Sequence, residues 1–96
     1  YDNVINSGGL KLFPEQIEAQ LKAKIKTQFF IASEADETLG ERLILVLEAD
    51  NTSLEVSVFE GLGKFEIPKT IYAVSQFVVT DTGKIQRKKT LESIIR

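Results

Sequence analysis

Cysteine and histidine are both absent from this chain of 96 residues. Their absence excludes thiol nucleophiles, disulfide bonds, Cys/His zinc sites and Ser-His-Asp triads within the chain. The sequence also has no run of about 18 or more apolar residues that could cross a membrane, and no signal-peptide pattern. Any catalysis by this chain would therefore depend on lysine, carboxylate, tyrosine, hydroxyl or backbone groups, and no metal site is expected.

Methionine is absent as well, and the first residue is Tyr1. We therefore expect the sequence to be a piece of a longer protein that carries part of a functional site. Its length suits one small domain over residues 1–96, and its 43% hydrophobic and 27% charged residues indicate a globule with a modest core. The formal net charge of −2 argues against a general polyanion binder. Residues 84–96 nevertheless hold five basic residues against one acid, so a local anion site remains open.

Hydrophobic periodicity and turn residues predict an α+β domain with a small, mainly antiparallel sheet, an N-terminal hairpin and flanking helices. The turn sequence NSGG favours the hairpin, and the apolar run ERLILVLE indicates a strand buried on both faces. Asn51 or Thr52 could begin a helix that Gly61 or Gly63 would stop. The predicted elements are a hairpin over 4–13, a helix over 14–26, strands over 28–33 and 41–48, a helix within 51–63, an extended segment over 70–79, a short strand at 85–86 and a helix from about 88.

A lysine stands at the point of a glycine turn in the segment VVTDTGKIQRKK, where Lys84 follows Gly83. One interpretation is a solvated hairpin tip in which Gly83 makes the turn and Lys84 provides solubility. The other is an anion-binding role, because a lysine is a flexible point charge with three donors that can bridge two anionic oxygens. The segment is not a Walker P-loop, since it lacks that motif's first glycine and its hydroxyl residue.

The segment NSGGLK is a second candidate site. It is either an ordinary tight turn, or a backbone surface left bare so that a narrow ligand can lie along it, with Lys11 just beyond to meet negative charge. The acidic residues between 34 and 41 lack the spacing and central glycine of an EF-hand loop, so we expect them to be solvated surface. Tyr72, Phe29 and Phe30 are expected in the core.

Two stretches at opposite ends of the chain resemble the C-terminal domain of the adenylate-forming enzymes, which include acyl-CoA synthetases, firefly luciferase and peptide-synthetase adenylation domains. The first, YDNVINSGGLKLFPEQIE, is similar to the family signature of an aspartate, an apolar pair, a glycine turn, a proline and Ile-Glu. The second, FEIPKTIYAVSQFVVTDTGKIQRKK, is similar to the closing signature that ends in Gly-Lys-Ile-x-Arg. The resemblance covers nearly all of the chain. Within the family, the sequence is most similar to o-succinylbenzoate–CoA ligases of menaquinone biosynthesis.

The resemblance implies a two-step ligase of the cytoplasm. A small-molecule acid and ATP first give an acyl-adenylate and pyrophosphate, and coenzyme A then displaces AMP to give a thioester. Lys84 matches the catalytic lysine of the family. ATP, with its Mg²⁺, and the acid would be bound mainly by an N-terminal domain of the same enzyme, which is absent from this sequence. Neither a nucleic acid partner nor a membrane span is expected.

The resemblance also assigns roles to the first part of the chain. Asp2 matches the hinge about which this domain is expected to rotate between the two steps. The residues that would then line the tunnel for coenzyme A are Asn6, Ser7, Gly8, Gly9 and Lys11. Val78 and Val79 depart from the family pattern, because they replace the Pro-Lys or Pro-Arg that often precedes the final threonine.

Two other functions are compatible with the residues alone. The first is a free-standing phosphate- or RNA-binding module that uses Lys84, Arg87, Lys88 and Lys89. Such a module would need a steep salt dependence and aromatic stacking residues, and Phe77 is the one aromatic residue near these charges in sequence. The second is a purely structural interaction domain, which accounts for the core but leaves both glycine turns unexplained.

Overall fold

The computed structural model describes residues 4–94 of the chain and confirms the predicted α+β class. Its strands are β1 (Ile5–Ser7), β2 (Leu10–Leu12), β3 (Phe29–Asp36), β4 (Gly40–Glu48) and β5 (Thr70–Val74). Its α-helices are α1 (Pro14–Leu21) and α2 (Arg87–Ile94), and short 3-10 turns cover Val56–Phe59 and Lys64–Glu66. Neither α-helix in this described part of the chain is long and apolar enough to cross a membrane.

Strand β4 is the centre of the five-stranded sheet. Strand β3 pairs with it antiparallel along one edge, over eight residue pairs that end at Asp36 and Gly40. The other edge of β4 is shared by two strands, because β1 pairs at Gly40 while β5 pairs in parallel from Ile44 onward. Strand β2 extends the sheet beyond β1. The sheet is therefore mainly antiparallel, as predicted, with β5 as a parallel neighbour.

Five consecutive residues of β4, 43–47, are buried, so both faces of this strand are covered, as the sequence predicts. Successive side chains of a strand point to opposite faces. The odd-numbered leucines pack in one cluster with α1 and the β1–β2 hairpin, which we call the α1 layer. On the other face Ile44 and Val46 pack with Phe30, Phe77 and the inner side of α2, which we call the α2 layer. Strand β4 thus separates the domain into two layers.

The first helix is shorter than predicted. It ends at Leu21, whereas the periodicity predicts a helix to residue 26. The N–H groups of Lys24 and Ile25 both bond to the carbonyl of Leu21 at 2.9 Å, which closes the helix with a tight turn. Ile25 consequently folds back into the α1 layer, where it is 5% exposed.

The helix predicted within 51–63 is wrong. The Asn51 side chain accepts a hydrogen bond from the Ser53 N–H at 3.0 Å, so it closes a local turn instead of capping a helix. The chain has no regular structure until the 3-10 turn at Val56–Phe59. Leu54 and Phe59 still pack against the α1 layer, which explains why their spacing suggested an amphipathic helix.

The acidic residues between 34 and 41 are not the solvated loop that the sequence suggests, since most of them lie in β3 and β4. The turn between these strands spans only residues 37–39. Asp36 closes it by accepting hydrogen bonds from the N–H groups of Leu39 and Thr38, both at 2.8 Å. These two donors lower the pKa of Asp36 below its usual value.

Glu34 is the centre of a polar cluster on the α2 layer. The Tyr72 hydroxyl donates to Glu34 Oε1 and Arg42 Nε donates to Glu34 Oε2, both at 2.6 Å. The hydrogen bond to Glu34 raises the pKa of Tyr72 above its usual value, and burial of the phenol raises it further. Tyr72 was predicted in the core, and its ring is partly buried against the α2 layer. Phe29 and Phe30 are also core residues, and they pack in opposite layers.

An ion pair joins the two layers around the outer edge of β3. Arg87 begins α2, and its guanidinium donates two hydrogen bonds to the Glu18 carboxylate of α1, at 2.8 and 2.9 Å. The same carboxylate accepts the backbone N–H of Ile31 in β3 at 2.9 Å. The guanidinium also lies 5.6 Å from the ring centroid of Phe30. The pair therefore satisfies an N–H on the edge of the sheet and connects the two helices.

We expect Glu18→Ala to lower the free energy of unfolding by about 2 kcal/mol, because it leaves the Ile31 N–H without its acceptor and Arg87 without its partner. Glu18→Gln keeps an acceptor but loses the charge, and should lose roughly 1 kcal/mol. Urea denaturation measures both changes. The control is Gln20→Ala on the exposed side of the same helix, which should be near neutral. Equal stabilities of Glu18→Ala and Gln20→Ala would contradict the role given to this carboxylate.

The raised pKa of Tyr72 predicts a stability difference that depends on pH. The neutral phenol is favoured in the folded state, so its contribution is fully present below the usual tyrosine pKa of about 10 and is lost as the pH rises through the higher folded value. The stability difference between the natural chain and Tyr72→Phe should therefore be constant up to about pH 9 and shrink as the pH rises above about 10. Denaturation midpoints of both proteins measure it, and lysine titration cancels in the difference. A difference that stays constant over this range would show that Tyr72 titrates normally.

Candidate functional site

Lys84 lies at the tip of a short hairpin that follows β5. Gly83 occupies the turn with a φ of +87°, a left-handed conformation that favours glycine, and its N–H donates to the Thr80 carbonyl at 2.9 Å. Lys84 comes directly after this turn and is exposed. Its ammonium forms no hydrogen bond or ion pair with any other residue among 4–94. The ammonium is therefore free to meet an anion from outside the domain.

The two stems of this hairpin are joined by a small number of backbone hydrogen bonds. Thr80 N–H donates to the Lys84 carbonyl, and Gln86 N–H donates to the Val78 carbonyl, both at 2.8 Å. An antiparallel bridge at Ile85 lies between these two bonds. The short strand predicted there is thus present only as a bridge.

Residues of the α2 layer hold the base of the hairpin. Phe77 is 3% exposed, and its ring centroid lies 5.2 Å from that of Phe30 with a tilt of 60° between the planes. The Phe77 N–H donates to the Glu48 carboxylate at 2.8 Å, and the next N–H, that of Val78, donates to the Thr90 hydroxyl at 3.0 Å. The hairpin therefore projects from a packed and hydrogen-bonded base, and only its tip is exposed.

The second candidate loop is the two-residue turn between β1 and β2. Gly8 and Gly9 have φ values of +60° and +85°, as a type I′ hairpin turn requires. The Gly8 N–H donates to the Leu39 carbonyl at 2.9 Å, and a Cβ at Gly8 would lie 3.1 Å from a Leu39 methyl carbon. A Cβ at Gly9 would have no neighbour within 4 Å. Gly8 is therefore packed against the β3–β4 turn, whereas Gly9 presents open backbone.

The other residues predicted to line this loop divide between two faces of the hairpin. Asn6 and Lys11 lie directly opposite each other in the β1–β2 register, and both are exposed. Ser7 is paired with Leu10 one position further along, so its side chain belongs to the other face. The structure thus brings Asn6 and Lys11 together and separates Ser7 from them. Asp2, the predicted hinge, lies outside the described residues.

The two candidate loops belong to different layers of the domain. The glycine turn is carried by β1 and β2, which contribute Ile5 and Leu12 to the α1 layer. The Lys84 hairpin is carried by Phe77 and Ile85, which pack in the α2 layer. Strand β4 therefore lies between the residues that anchor the two loops.

The basic residues after Lys84 do not form one free cationic surface. Arg87 is occupied by Glu18, although Lys88 and Lys89 are exposed. Phe77 is buried, so it cannot serve as a stacking platform for a nucleic acid base. No group of three histidine, cysteine or carboxylate side chains that could hold a metal ion occurs in the described range 4–94.

Sequence analysis did not identify three residues that support the Lys84 hairpin or the helix after it, namely Glu18, Glu48 and Thr90. Glu18 lies 69 positions from Arg87, and Glu48 lies 29 positions from Phe77, so no local pattern joins either pair. Thr90 did have a detectable signal, because its spacing from the inward-facing Leu91 and Ile94 places a polar residue on the apolar side of the predicted helix. A polar side chain in such a position needs a hydrogen-bond partner.

Comparisons with known proteins agree with this architecture. No family model matches the chain. The 2-succinylbenzoate–CoA ligase of Staphylococcus aureus is 34% identical in an alignment that covers 91% of this chain and 19% of that enzyme. The acyl-CoA synthetase (AMP-forming)/AMP-acid ligase II-like protein of Dyadobacter fermentans superposes with a TM-score of 0.83 at 32% identity, over 97% of this chain and 29% of that protein. The chain belongs to the adenylate-forming enzymes.

Its fold is that of the C-terminal domain of this family, as the two sequence motifs predict. Escherichia coli MenE, in a variant with bound OSB-AMS, matches with a TM-score of 0.73 at 28% identity, over 97% of this chain and 21% of that protein. The predicted similarity to the o-succinylbenzoate–CoA ligase branch is therefore confirmed as well. The chain spans about one fifth of the length of the curated relatives that it matches, at 19%.

Proposed function

We propose that this chain is the C-terminal catalytic domain of an AMP-forming acid–CoA ligase and that the acid is o-succinylbenzoate. The observation that carries the proposal is the Lys84 ammonium, which is exposed and unpaired within residues 4–94 although its hairpin is firmly anchored. The names of the similar ligases support the substrate. A larger N-terminal domain of the same enzyme would bind most of the ATP, its Mg²⁺ and the acid.

In the first step two anions must react, since a carboxylate oxygen attacks the α-phosphorus of ATP and pyrophosphate leaves. An ammonium placed between these groups lowers their repulsion and stabilises the negative charge that develops at the phosphoryl oxygens. Lys84 suits this role because it is a compact charge with three donors on a flexible stem. The anchored hairpin restricts the positions that the ammonium can occupy. Less conformational entropy is therefore lost when the ammonium is placed beside the reacting groups.

In the second step the thiol of coenzyme A attacks the acyl carbon and AMP leaves. The pantetheine arm of coenzyme A is a narrow chain, and the open backbone at Gly9 can accommodate it. Asn6 and Lys11 lie together on the exposed face of the hairpin, where they can meet the polar and anionic parts of coenzyme A. Since the two loops belong to opposite layers, the domain must turn between the steps, and we assign the hinge to Asp2.

We expect Lys84→Ala in the complete ligase to slow acyl-adenylate formation by on the order of 100-fold or more, because the charge that stabilises the transition state is lost. Thioester formation from supplied acyl-adenylate should be largely retained. Pyrophosphate release measures the first step and thioester absorbance the second. The matched control is Lys89→Ala, which removes an exposed lysine from the same basic segment and should leave both steps unchanged. Equal loss of both steps in Lys84→Ala would contradict the proposed function.

Gly9→Leu should slow thioester formation while sparing pyrophosphate release, because the new side chain would project into the open space beside the turn. A leucine at positive φ also strains the backbone, so the control must carry the same strain elsewhere. Gly61→Leu does this, since Gly61 has a φ of +94° and lies outside both candidate loops. A normal second step in Gly9→Leu, or an equal defect in Gly61→Leu, would exclude the glycine turn as the coenzyme A surface.

A further inference from the structure

The Lys84 hairpin lacks two of the backbone hydrogen bonds that its register calls for. In an antiparallel pair the hydrogen-bonded residues exchange two N–H···O bonds. Val78 and Gln86 form such a pair, as do Thr80 and Lys84, because one bond of each exchange is present at 2.8 Å. The reverse bonds, from the N–H groups of Val78 and Lys84, go instead to threonine hydroxyls.

The hydroxyl at the base belongs to Thr90, which is completely buried in α2. Its Oγ1 accepts the Val78 N–H at 3.0 Å and donates to the Gln86 carbonyl at 2.9 Å. The hydroxyl therefore lies between the Val78 N–H and the Gln86 carbonyl and bonds to both, in place of the direct backbone hydrogen bond. Threonine hydroxyls in helices commonly donate to the carbonyl four residues earlier. The Thr90 hydroxyl, in addition, accepts a hydrogen bond from an N–H of another segment.

The hydroxyl at the tip belongs to Thr80, which accepts the Lys84 N–H at 3.1 Å and lies 3.0 Å from the Thr82 hydroxyl. The missing bond at the tip belongs to the turn itself, because the Thr80 carbonyl accepts the Gly83 N–H in a three-residue turn that ends in a left-handed glycine. At the base, by contrast, the Thr90 hydroxyl bonds to both stems, and Thr90 is part of the helix that packs in the α2 layer. Of these two threonines, only Thr90 ties the hairpin to another element of the domain.

We propose that Thr90 is a positioning residue for Lys84, and this inference rests on the proposed function of that lysine in adenylation. By fixing the separation of Val78 and Gln86, the hydroxyl sets the direction in which the hairpin projects. Without it the stems either close to a direct backbone bond or open to water. Each alternative moves the tip, and a displacement on the order of an ångström can cost up to about 100-fold in rate.

The test uses Thr90→Val and Thr90→Ser in the complete ligase. Valine has nearly the shape of threonine but no hydroxyl, whereas serine keeps the hydroxyl and loses the methyl group. Thr90→Val should reduce kcat for acyl-adenylate formation by about 10-fold to 100-fold, with little change in KM for ATP or the acid. Thioester formation from supplied acyl-adenylate should stay normal. Thr90→Ser should restore most of the adenylation rate, and the Val78 amide should exchange with solvent faster in Thr90→Val alone.

Several outcomes would overturn the inference. One is normal adenylation by a folded Thr90→Val enzyme while Lys84→Ala, measured under the same conditions, has lost adenylation. That result would refute the role of Thr90 and leave the proposed function intact. Another is equal slowing of both half-reactions by Thr90→Val, which would make the hydroxyl a general support of the fold. If Lys84→Ala itself adenylates normally, the proposed function fails first. Should Thr90→Val prove unstable, Thr90→Cys has a similar size and only weak hydrogen bonding, and it provides the same comparison with serine.

Discussion

The architecture of this domain depends on a central strand whose two faces are both removed from water. Residues 43–47 of β4 are all buried, and an apolar strand of this kind is stable only when each face is covered. The chain covers one face with α1 and the glycine hairpin, and the other with α2 and the Lys84 hairpin. The opposite placement of the two loops therefore follows from the burial of β4.

Polar side chains satisfy backbone groups at the edge of the sheet that the apolar layers do not cover. Strand β3 is at the edge of the sheet, and the Glu18–Arg87 pair covers part of that edge while tying α1 to α2. Arg87 lies three positions after Lys84 and also begins the helix that carries Thr90. The closing signature therefore combines the exposed Lys84 with the arginine that attaches its segment to the domain. In this chain the arginine of that signature is a structural ion-pair partner within the domain.

Local sequence patterns predict the parts of the fold that local forces determine. The NSGG turn, the strand with the apolar run 43–47 and the polar turn at Gly83 each specify their own conformation, and all three lie where the sequence places them. The helix expected within 51–63 failed because Asn51 can close a turn or cap a helix with the same side-chain oxygen, and its neighbours decide which. Glu34 accepts a hydrogen bond from Tyr72, which is 38 positions away in the sequence. The two residues become neighbours only through the pairing of β5 with β4.

The candidate site likewise has one part that local sequence predicts and another that depends on long-range contacts. Lys84 and the glycine turn could be located from short motifs and from their resemblance to a family, because each lies at the exposed tip of a hairpin. The groups that hold the base of the Lys84 hairpin are contributed by β3, β4 and α2, so they become neighbours only in the folded chain. These supporting groups all lie within residues 4–94, which gives the hairpin a self-contained foundation. The direction in which Lys84 projects is therefore determined within the domain, so fusion of the domain to a different protein would leave the hairpin and its base unchanged.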